Sequence, residues 1–415
     1  MKIWKRCLAG LLCGILLTGC LPALAEEAPA VIVDQESGET AEELMREDPD
    51  EVWAPVDTVP TEATGLEVGG KSAVLLELSS GRVLFEKNSH EKLAIASVTK
   101  VMTLLLVMEA VDNGQITLEE PVTCSANAAS MGGSQIWLKE GEVMSVHELV
   151  KAAAVVSAND ACAALAEHIS GSVEGFVQQM NARAAELGMN DTLFLDCSGL
   201  SDDAYSSAYD VALMSRELMT HPKITDYTTI WMDTLRDGKS QLVNTNKLVR
   251  HYAGATGLKT GTTQKAGHCL SATAEKGGMG LCAVILGCAT TDERFGGARK
   301  MLDYGFANYA IYTPEIDTSA LVPVPVLRGM EETVAPVLDA PQPQMIKKGQ
   351  EKNIVCTTEL SENLEAPVYK GQVIGRVVLT LDGEELAAYA IRADADVKAM
   401  TFGRAFGRLL AALLG

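Results

Sequence analysis

Ser97 and Lys100, in "AIASVTKVMT", stand one helical turn apart at the head of an apolar run. Side chains at i and i+3 share a helix face, so the lysine amine can reach the serine hydroxyl. A hydroxyl beside an unprotonated amine is an activated nucleophile suited to acyl transfer. Spacing alone is weak evidence, because Ser89 and Lys92 repeat it in the polar turn "EKNSHEKL". A second polar pair, Ser157 and Asn159 in "VVSANDACAAL", falls between two apolar helical patterns, in a loop walled by hydrocarbon. The same S-x-N spacing at Ser125 and at Ser361 lacks such walls. A third group, Lys259, Thr260 and Gly261 in "TGLKTGTT", lies on a β-prone run. There glycine permits close backbone approach, and an open strand edge can pair with an extended peptide.

The base sets the strictest condition. A solvated lysine, with a pKa of about 10.4, is almost wholly protonated at neutral pH. A lysine acting as general base needs a value of roughly 7–8, a shift opposed by about 4 kcal/mol. Burial and a second cation both push that way, and Lys259 is the expected cation. The helix N-terminus at Ser97 adds unpaired N–H groups near any developing oxyanion.

These groups need a scaffold. "SAVLLELSSGRVLFEKN" reads as a hairpin turning at Ser80-Gly81. Helical patterns follow over Val98 to Asp112 and in "SVHELVKAAAVV", where Ser145 and Glu148 form a capping box. "TGLKTGTT", "HCLSATAE" and "MGLCAVILG" then read as strands, the last two joined at Gly277-Gly278, before a helix in "ERFGGARKMLDYGFANYA". The expected class is α/β (α+β): one antiparallel sheet assembled from both ends of the domain, flanked by helices, with a helical subdomain.

Residues 67–312 form this domain. Short alternating strands with an Asp382-Gly383 turn make a small all-β domain over 313–394. Residues 395–415 form an amphipathic helix whose Phe402, Ala405, Phe406, Leu409 and Leu413 share one side, with Lys398, Arg404 and Arg408 as its cations. Such a helix is an interfacial anchor, and the expected partner is a membrane surface.

Residues 1–25 carry a basic start, an apolar stretch and "ALA" before Glu26, an export signal. "LTGC" ending at Cys20 fits lipoprotein processing as well. Residues 26–66 are acidic and poor in aromatics, which reads as a disordered tether. The formal charge of −21 argues against nucleic acid as a partner. Seven cysteines follow the signal (Cys124, Cys162, Cys197, Cys269, Cys282, Cys288, Cys356) without a C-x-x-C pair, and read as small buried hydrophobes.

The three groups, in this order, resemble the active-site serine family of penicillin-binding proteins and serine β-lactamases, with S-A-N in place of S-D-N. "VVSANDACAALAEHISGS", "MNARAAELGMNDTLF", "SAYDVALMSREL", "GLKTGTTQKAGHCLSATA" and "RKMLDYGF" narrow the resemblance to D-alanyl-D-alanine carboxypeptidases of low molecular mass, over residues 67 to 415. The resemblance implies removal of the terminal D-alanine from peptidoglycan stem peptides, inhibition by β-lactams, and a site on the outer face of the bacterial cell membrane. It implies that Ser97 is the nucleophile, Lys100 its base and Ser157 the relay to the leaving amine. Asn159 would bind a substrate amide and orient Lys100. Lys259, Thr260 and Thr262 would hold the terminal carboxylate beside Gly261, and the N–H groups of Ser97 and Thr262 would form the oxyanion hole. Thr262 stands where some relatives carry histidine, which bears on deacylation and pH optimum.

Neither metal nor cofactor is expected, since "HEKLA" and "HELVK" lack the second histidine of a zinc peptidase. A Ser-His-Asp triad could draw on His168, His221, His251 or His268, but no G-x-S-x-G elbow is present. A β-lactamase would use Glu186 and Asn190 in "ELGMN" to activate water. A non-catalytic wall-docking protein would keep the fold without the reaction.

Overall fold

The structure, a computed structural model, describes residues 30–33, 40, 62 and 65–414. The expected signal, its cleavage site and Cys20 lie outside the described residues, as does most of the acidic tether. Where that tether is described, it departs from the expected disorder. Ala30–Ile32 forms a strand, β1, because its β-branched residues suit extended backbone and Ile32 finds a buried slot in the main core.

The hairpin expected at Ser80-Gly81 is present as β2 (Ser72–Glu77) and β3 (Val83–Lys87). Glu77 ties its turn by accepting the N–H groups of Ser79 and Ser80. A 3-10 turn over Ala96–Thr99 carries Ser97 and runs into α1 (Lys100–Asp112). Ser97 therefore sits in the tighter turn that precedes the α-helix. Helix α1 is apolar almost all round and is buried accordingly.

Helix α2 (Val146–Val155) begins at the capping box, with Glu148 N donating to Ser145 Oγ and Ser145 N to Glu148 Oε2. Such a cap contributes about 1 kcal/mol. After a three-residue break, α3 (Asn159–Ser170) starts at Asn159 itself. Helix α4 (Ala208–Leu218) follows. Strands β4 (Met232–Leu235) and β5 (Ser240–Val243) pair with each other, and β1 lies parallel on β5 with Ile32 opposite Leu242.

Strands β6 (Ala255–Thr263), β7 (Gly267–Lys276) and β8 (Met279–Cys288) complete the main sheet, followed by α5 (Thr291–Asn308). The sheet runs β3-β2-β8-β7-β6 and is antiparallel throughout. One face packs on α1 and α4, the other on α5. Strand β6, carrying Lys259 to Thr262, is an edge of this sheet.

The small β domain has a four-stranded sheet ordered Pro336–Leu338, Glu384–Ala393, Val373–Leu381, Ile354–Leu360. Its core includes Val324, Val377, Ile391 and also Val397, beyond the expected boundary at 394. Bridges from Val368 to Val397 and from Gly329 to Ala399 hold that extension. Tyr309–Tyr312, at the end of the preceding domain, pairs with Gln344–Lys347 and stitches the two together.

Helix α6 (Phe402–Leu414) follows, with Phe402, Phe406, Leu409 and Leu413 exposed and the two rings stacked. No helix among the described residues is long and apolar enough to cross a membrane. The cysteines from 124 to 356 are free, six of them buried and Cys356 exposed.

Candidate active site

Lys100 has no exposed surface, and its ammonium has three acceptors around it. Nζ donates to Ser97 Oγ (2.8 Å), to Asn159 Oδ1 (2.6 Å) and to the Ser198 carbonyl (2.7 Å). Two of these acceptors are themselves held. Asn159 Nδ2 donates to Gly132 O (2.8 Å), which fixes the amide with its oxygen toward the lysine, and Asn159 N donates to Ser134 O (2.7 Å). The two rigid acceptors occupy two N–H directions. The remaining tetrahedral direction points at the Ser97 hydroxyl.

The Ser198 carbonyl is set by a loop that the sequence reading did not single out. Asp196 Oδ1 accepts Ser198 N (2.7 Å), Ser198 Oγ (3.1 Å) and Gly199 N, while Oδ2 accepts Ser201 N (2.7 Å). Burial alone would push this carboxyl up, but the N–H bonds of Ser198, Ser201 and Gly199 together hold it below the usual carboxylate range. Thr103 Oγ1 on α1 donates to Cys197 O (2.6 Å), locking the loop to the helix that carries Lys100. Gly199 has φ +86°, and a Cβ there would lie 1.9 Å from Ala96 O, so the loop backbone touches the nucleophile turn directly.

Strand β6 closes the other side. A Cβ on Gly261 would fall 2.7 Å from Ile95 O and 3.0 Å from Ser97 N, so only glycine lets this edge approach the nucleophile. Lys259 and Thr260 are buried. Lys259 Nζ donates to Thr260 O (3.0 Å), and Thr260 Oγ1 lies 2.8 Å from Thr245 Oγ1. Burial pushes the Cys162 thiol up to about 11, against the lowering pull of Lys100 and Lys259.

Thr262 receives Arg294 Nη1 at 3.3 Å and faces His268 Nδ1 at 3.5 Å across the strand pair. Position 262 lacks histidine, yet an imidazole stands opposite it. Arg294 is fully buried and brings a further cation to the end of the K-T-G segment.

Ser157 has φ +62°, a strained value for serine, and its buried hydroxyl makes no hydrogen bond. The structure brings it to the break between α2 and α3 but not into a hydrogen bond with Ser97 or Lys100. Ser97, Lys100, Asn159 and Gly261 thus converge, and Lys259, Thr260 and Thr262 line the adjoining edge. Sequence reading missed Asp196, Thr245 and Arg294. "DCSGL" carried a turn signal that could have flagged Asp196; Thr245 and Arg294 had none.

The competing motifs resolve as structural. Ser125 caps a short helix through Ala128 N. Glu186 ends a helix over Val173–Glu186, exposed and paired with Arg183. His221 and His168 pair with Asp112 and Glu120.

Comparisons with known proteins agree with this geometry. A family model described as D-alanyl-D-alanine carboxypeptidase matches residues 58–290, and one described as the C-terminal domain of penicillin-binding protein 5 matches residues 317–399. The chain is 44% identical to D-alanyl-D-alanine carboxypeptidase DacF of Bacillus subtilis, over 80% of this chain and 87% of that one. It is 35% identical to the DacC carboxypeptidase of Escherichia coli, over 77% and 82%. The solved penicillin-binding protein 5 of Haemophilus influenzae superposes with a TM-score of 0.69 at 32% identity, covering 80% of this chain and 98% of that one. Penicillin-binding protein D2 of Listeria monocytogenes, solved with ampicillin bound, covers 58% of this chain and 99% of its own, at 33% identity and a TM-score of 0.51.

Proposed function

The chain belongs to the D-alanyl-D-alanine carboxypeptidase family, and on that membership we propose how its residues divide the reaction. It is a serine carboxypeptidase acting on D-alanyl-D-alanine ends, and its substrate is the peptidoglycan stem peptide. One observation carries the assignment: the Lys100 amine is dry, held by Asn159 Oδ1 and Ser198 O, and aimed at Ser97 Oγ.

Ser97 Oγ attacks the carbonyl of the penultimate D-alanine while neutral Lys100 takes the hydroxyl proton. The negative oxygen is received by the N–H groups of Ser97 and Thr262, a pairing that the close approach of Gly261 to Ser97 N supports. The C–N bond breaks as Ser157, whose hydroxyl makes no hydrogen bond in the resting site, gives its proton to the departing amine and takes the one held by Lys100, which returns Lys100 to its neutral form. Lys259, Thr260 and Thr262 hold the terminal carboxylate, with Thr245 and Arg294 extending that cluster. Asn159 orients Lys100 and receives a substrate amide. Water then attacks the ester, releasing the shortened stem and regenerating the Ser97 hydroxyl. β-Lactams enter the same route and stop at the ester.

The rival readings lack geometric support. The Glu186 carboxylate that a β-lactamase would use lies exposed on Arg183. A non-catalytic docking protein has no use for a buried amine aligned on a serine.

We place the enzyme outside the cytoplasm, exported by residues 1–25, with α6 lying on the membrane. The outward Phe402, Phe406, Leu409 and Leu413 support that reading. Binding of the full chain to anionic vesicles, abolished by Phe406→Glu with Leu409→Glu, tests the anchor. Undiminished binding in that variant would remove it.

Labelled penicillin followed by peptide mapping tests the chemistry. The label is expected on the Ser97 peptide and to persist for minutes, with D-alanine released from diacetyl-Lys-D-Ala-D-Ala. Immediate hydrolysis of the penicillin, or label on another residue, would overturn the assignment.

A further inference from the structure

Trp137 is 49% exposed and holds φ +54°, a left-handed conformation that bulky residues avoid. The amides on both sides of it are tied to one buried carboxylate. Ile136 N donates to Asp160 Oδ1 (3.2 Å) and Leu138 N to Asp160 Oδ2 (2.9 Å). Asp160 directly follows Asn159, so the helix start that orients Lys100 also pins this indole in a strained, half-open position. Strain of this kind persists only where the surroundings over-determine it, and it concentrates at ligand clamps.

The indole lines a groove of about 600 Å³ together with Ile32, Lys139, Glu140, Glu142 and Arg236. Arg236 Nε donates to Glu142 Oε1 (2.7 Å) and Nη2 to Ile136 O (3.0 Å). The walls thus carry Lys139 and Arg236 against Glu140 and Glu142, a balance that selects neither cation nor anion. A flat aromatic face with a hydrogen-bonding rim and no net charge fits a neutral pyranose bearing hydroxyl and acetamido groups.

Short stretches of chain tie both walls of the groove to the site. Trp137 follows Ser134 by three residues, and Ser134 O accepts Asn159 N at 2.7 Å. Three residues span at most about 11 Å. On the far wall Ser240 precedes Thr245, whose hydroxyl meets Thr260, by five residues, which span at most about 17 Å. A stem peptide carries four residues between the scissile carbonyl and its sugar, about 14 Å when extended.

We propose that this groove is a glycan subsite, in which an N-acetylhexosamine of the peptidoglycan strand stacks on Trp137. The proposal rests on the carboxypeptidase reading and adds the part of the substrate that the reaction does not touch. Strand β1 supplies one wall through Ile32, so the N-terminal segment completes the subsite.

The test compares D-alanine release by the full chain from a disaccharide pentapeptide and from the same N-acetylated pentapeptide without sugar. Wild type is expected to favour the glycosylated substrate about tenfold in kcat/KM, the scale of one aromatic contact. Trp137→Ala should abolish that preference and leave both the sugar-free rate and penicillin labelling within about twofold of wild type. Trp137→Phe should keep part of the preference. Should Trp137→Ala fail to fold, indole emission of Ser97→Ala should change on adding the disaccharide pentapeptide but not the sugar-free one. Equal losses on both substrates, an unchanged preference in Trp137→Ala, or equal emission changes would remove the subsite alone. No D-alanine release from either substrate by wild type would remove the carboxypeptidase reading and the subsite with it.

Discussion

Two S-x-x-K pairs lie eight residues apart in this chain and share nothing else. Ser89 donates to Glu86 Oε2 (2.9 Å), while Lys92 is half exposed, 3.7 Å from the Asp191 carboxylate and over the Tyr205 ring. Lys100 is completely buried, and its partners are a hydroxyl, an amide oxygen and a peptide carbonyl, none of them charged. The two lysines thus differ in burial and in the charge of their partners. The difference teaches that a four-residue pattern acquires chemistry from the polarity of what surrounds its lysine.

The largest effect should come from removing that amine. Lys100→Ala is expected to slow penicillin acylation by about 10³-fold or more while circular dichroism stays native. Lys92→Ala should leave acylation unchanged. Comparable losses in both variants would erase the distinction drawn between the pairs.

Gly261→Ala should rank next. Its Cβ would meet Ile95 O at 2.7 Å, so strand β6 or the nucleophile turn must shift. A misplacement of about 1 Å at a reacting centre costs on the order of 10²-fold in rate. Stopped-flow acylation reads the loss, and a rate within twofold of wild type would show that the approach is not required.

Asp196→Asn tests whether the Ser198 carbonyl needs its anchor. We expect kcat to fall about tenfold with KM little changed, because Asp196 acts on Lys100 through the Ser198 carbonyl. Its pH signature separates positioning from a general loss of fold. A carboxyl held low in the folded state contributes stability that is present above its ordinary value of about 3.9, and that is lost as pH falls through the lower folded value. The wild-type Tm should therefore drop below about pH 4, and Asp196→Asn should flatten that fall. An identical Tm profile in the variant would refute the depressed carboxyl.

Ser89→Ala should change least, within about 0.5 kcal/mol in urea unfolding and with no effect on D-alanine release. A rate loss there would bring the second pair into the mechanism.

Much of the scaffold was legible because its signals are local. The Ser145 and Glu148 cap, the hairpin turn at Ser80-Gly81 and the Gly277-Gly278 turn each depend on residues within a few positions of one another. The departures have causes that lie farther along the chain. Ser97 lies in a 3-10 turn because Ala96 adopts φ +49° in the segment packed on Gly199. The strand at Ala30–Ile32 escaped notice inside an acidic segment because its burial depends on β5, far along the chain. Val397 joined the β core because Val368 pairs with it, a contact that no periodicity announces.

Residue types and their order were enough to draw Ser97, Lys100, Asn159 and Gly261 into one expected site, and the fold brings those four close together. They could not show what holds the amine. Lys100 is bound by a backbone carbonyl at Ser198, and every residue has a carbonyl. Thr245 and Arg294 act through contacts with residues elsewhere in the chain, and the Asp196 loop reaches Lys100 through the Ser198 carbonyl, 98 residues away. Only folding selects those contacts, because close packing decides which of many equivalent polar groups is dry, near and correctly turned.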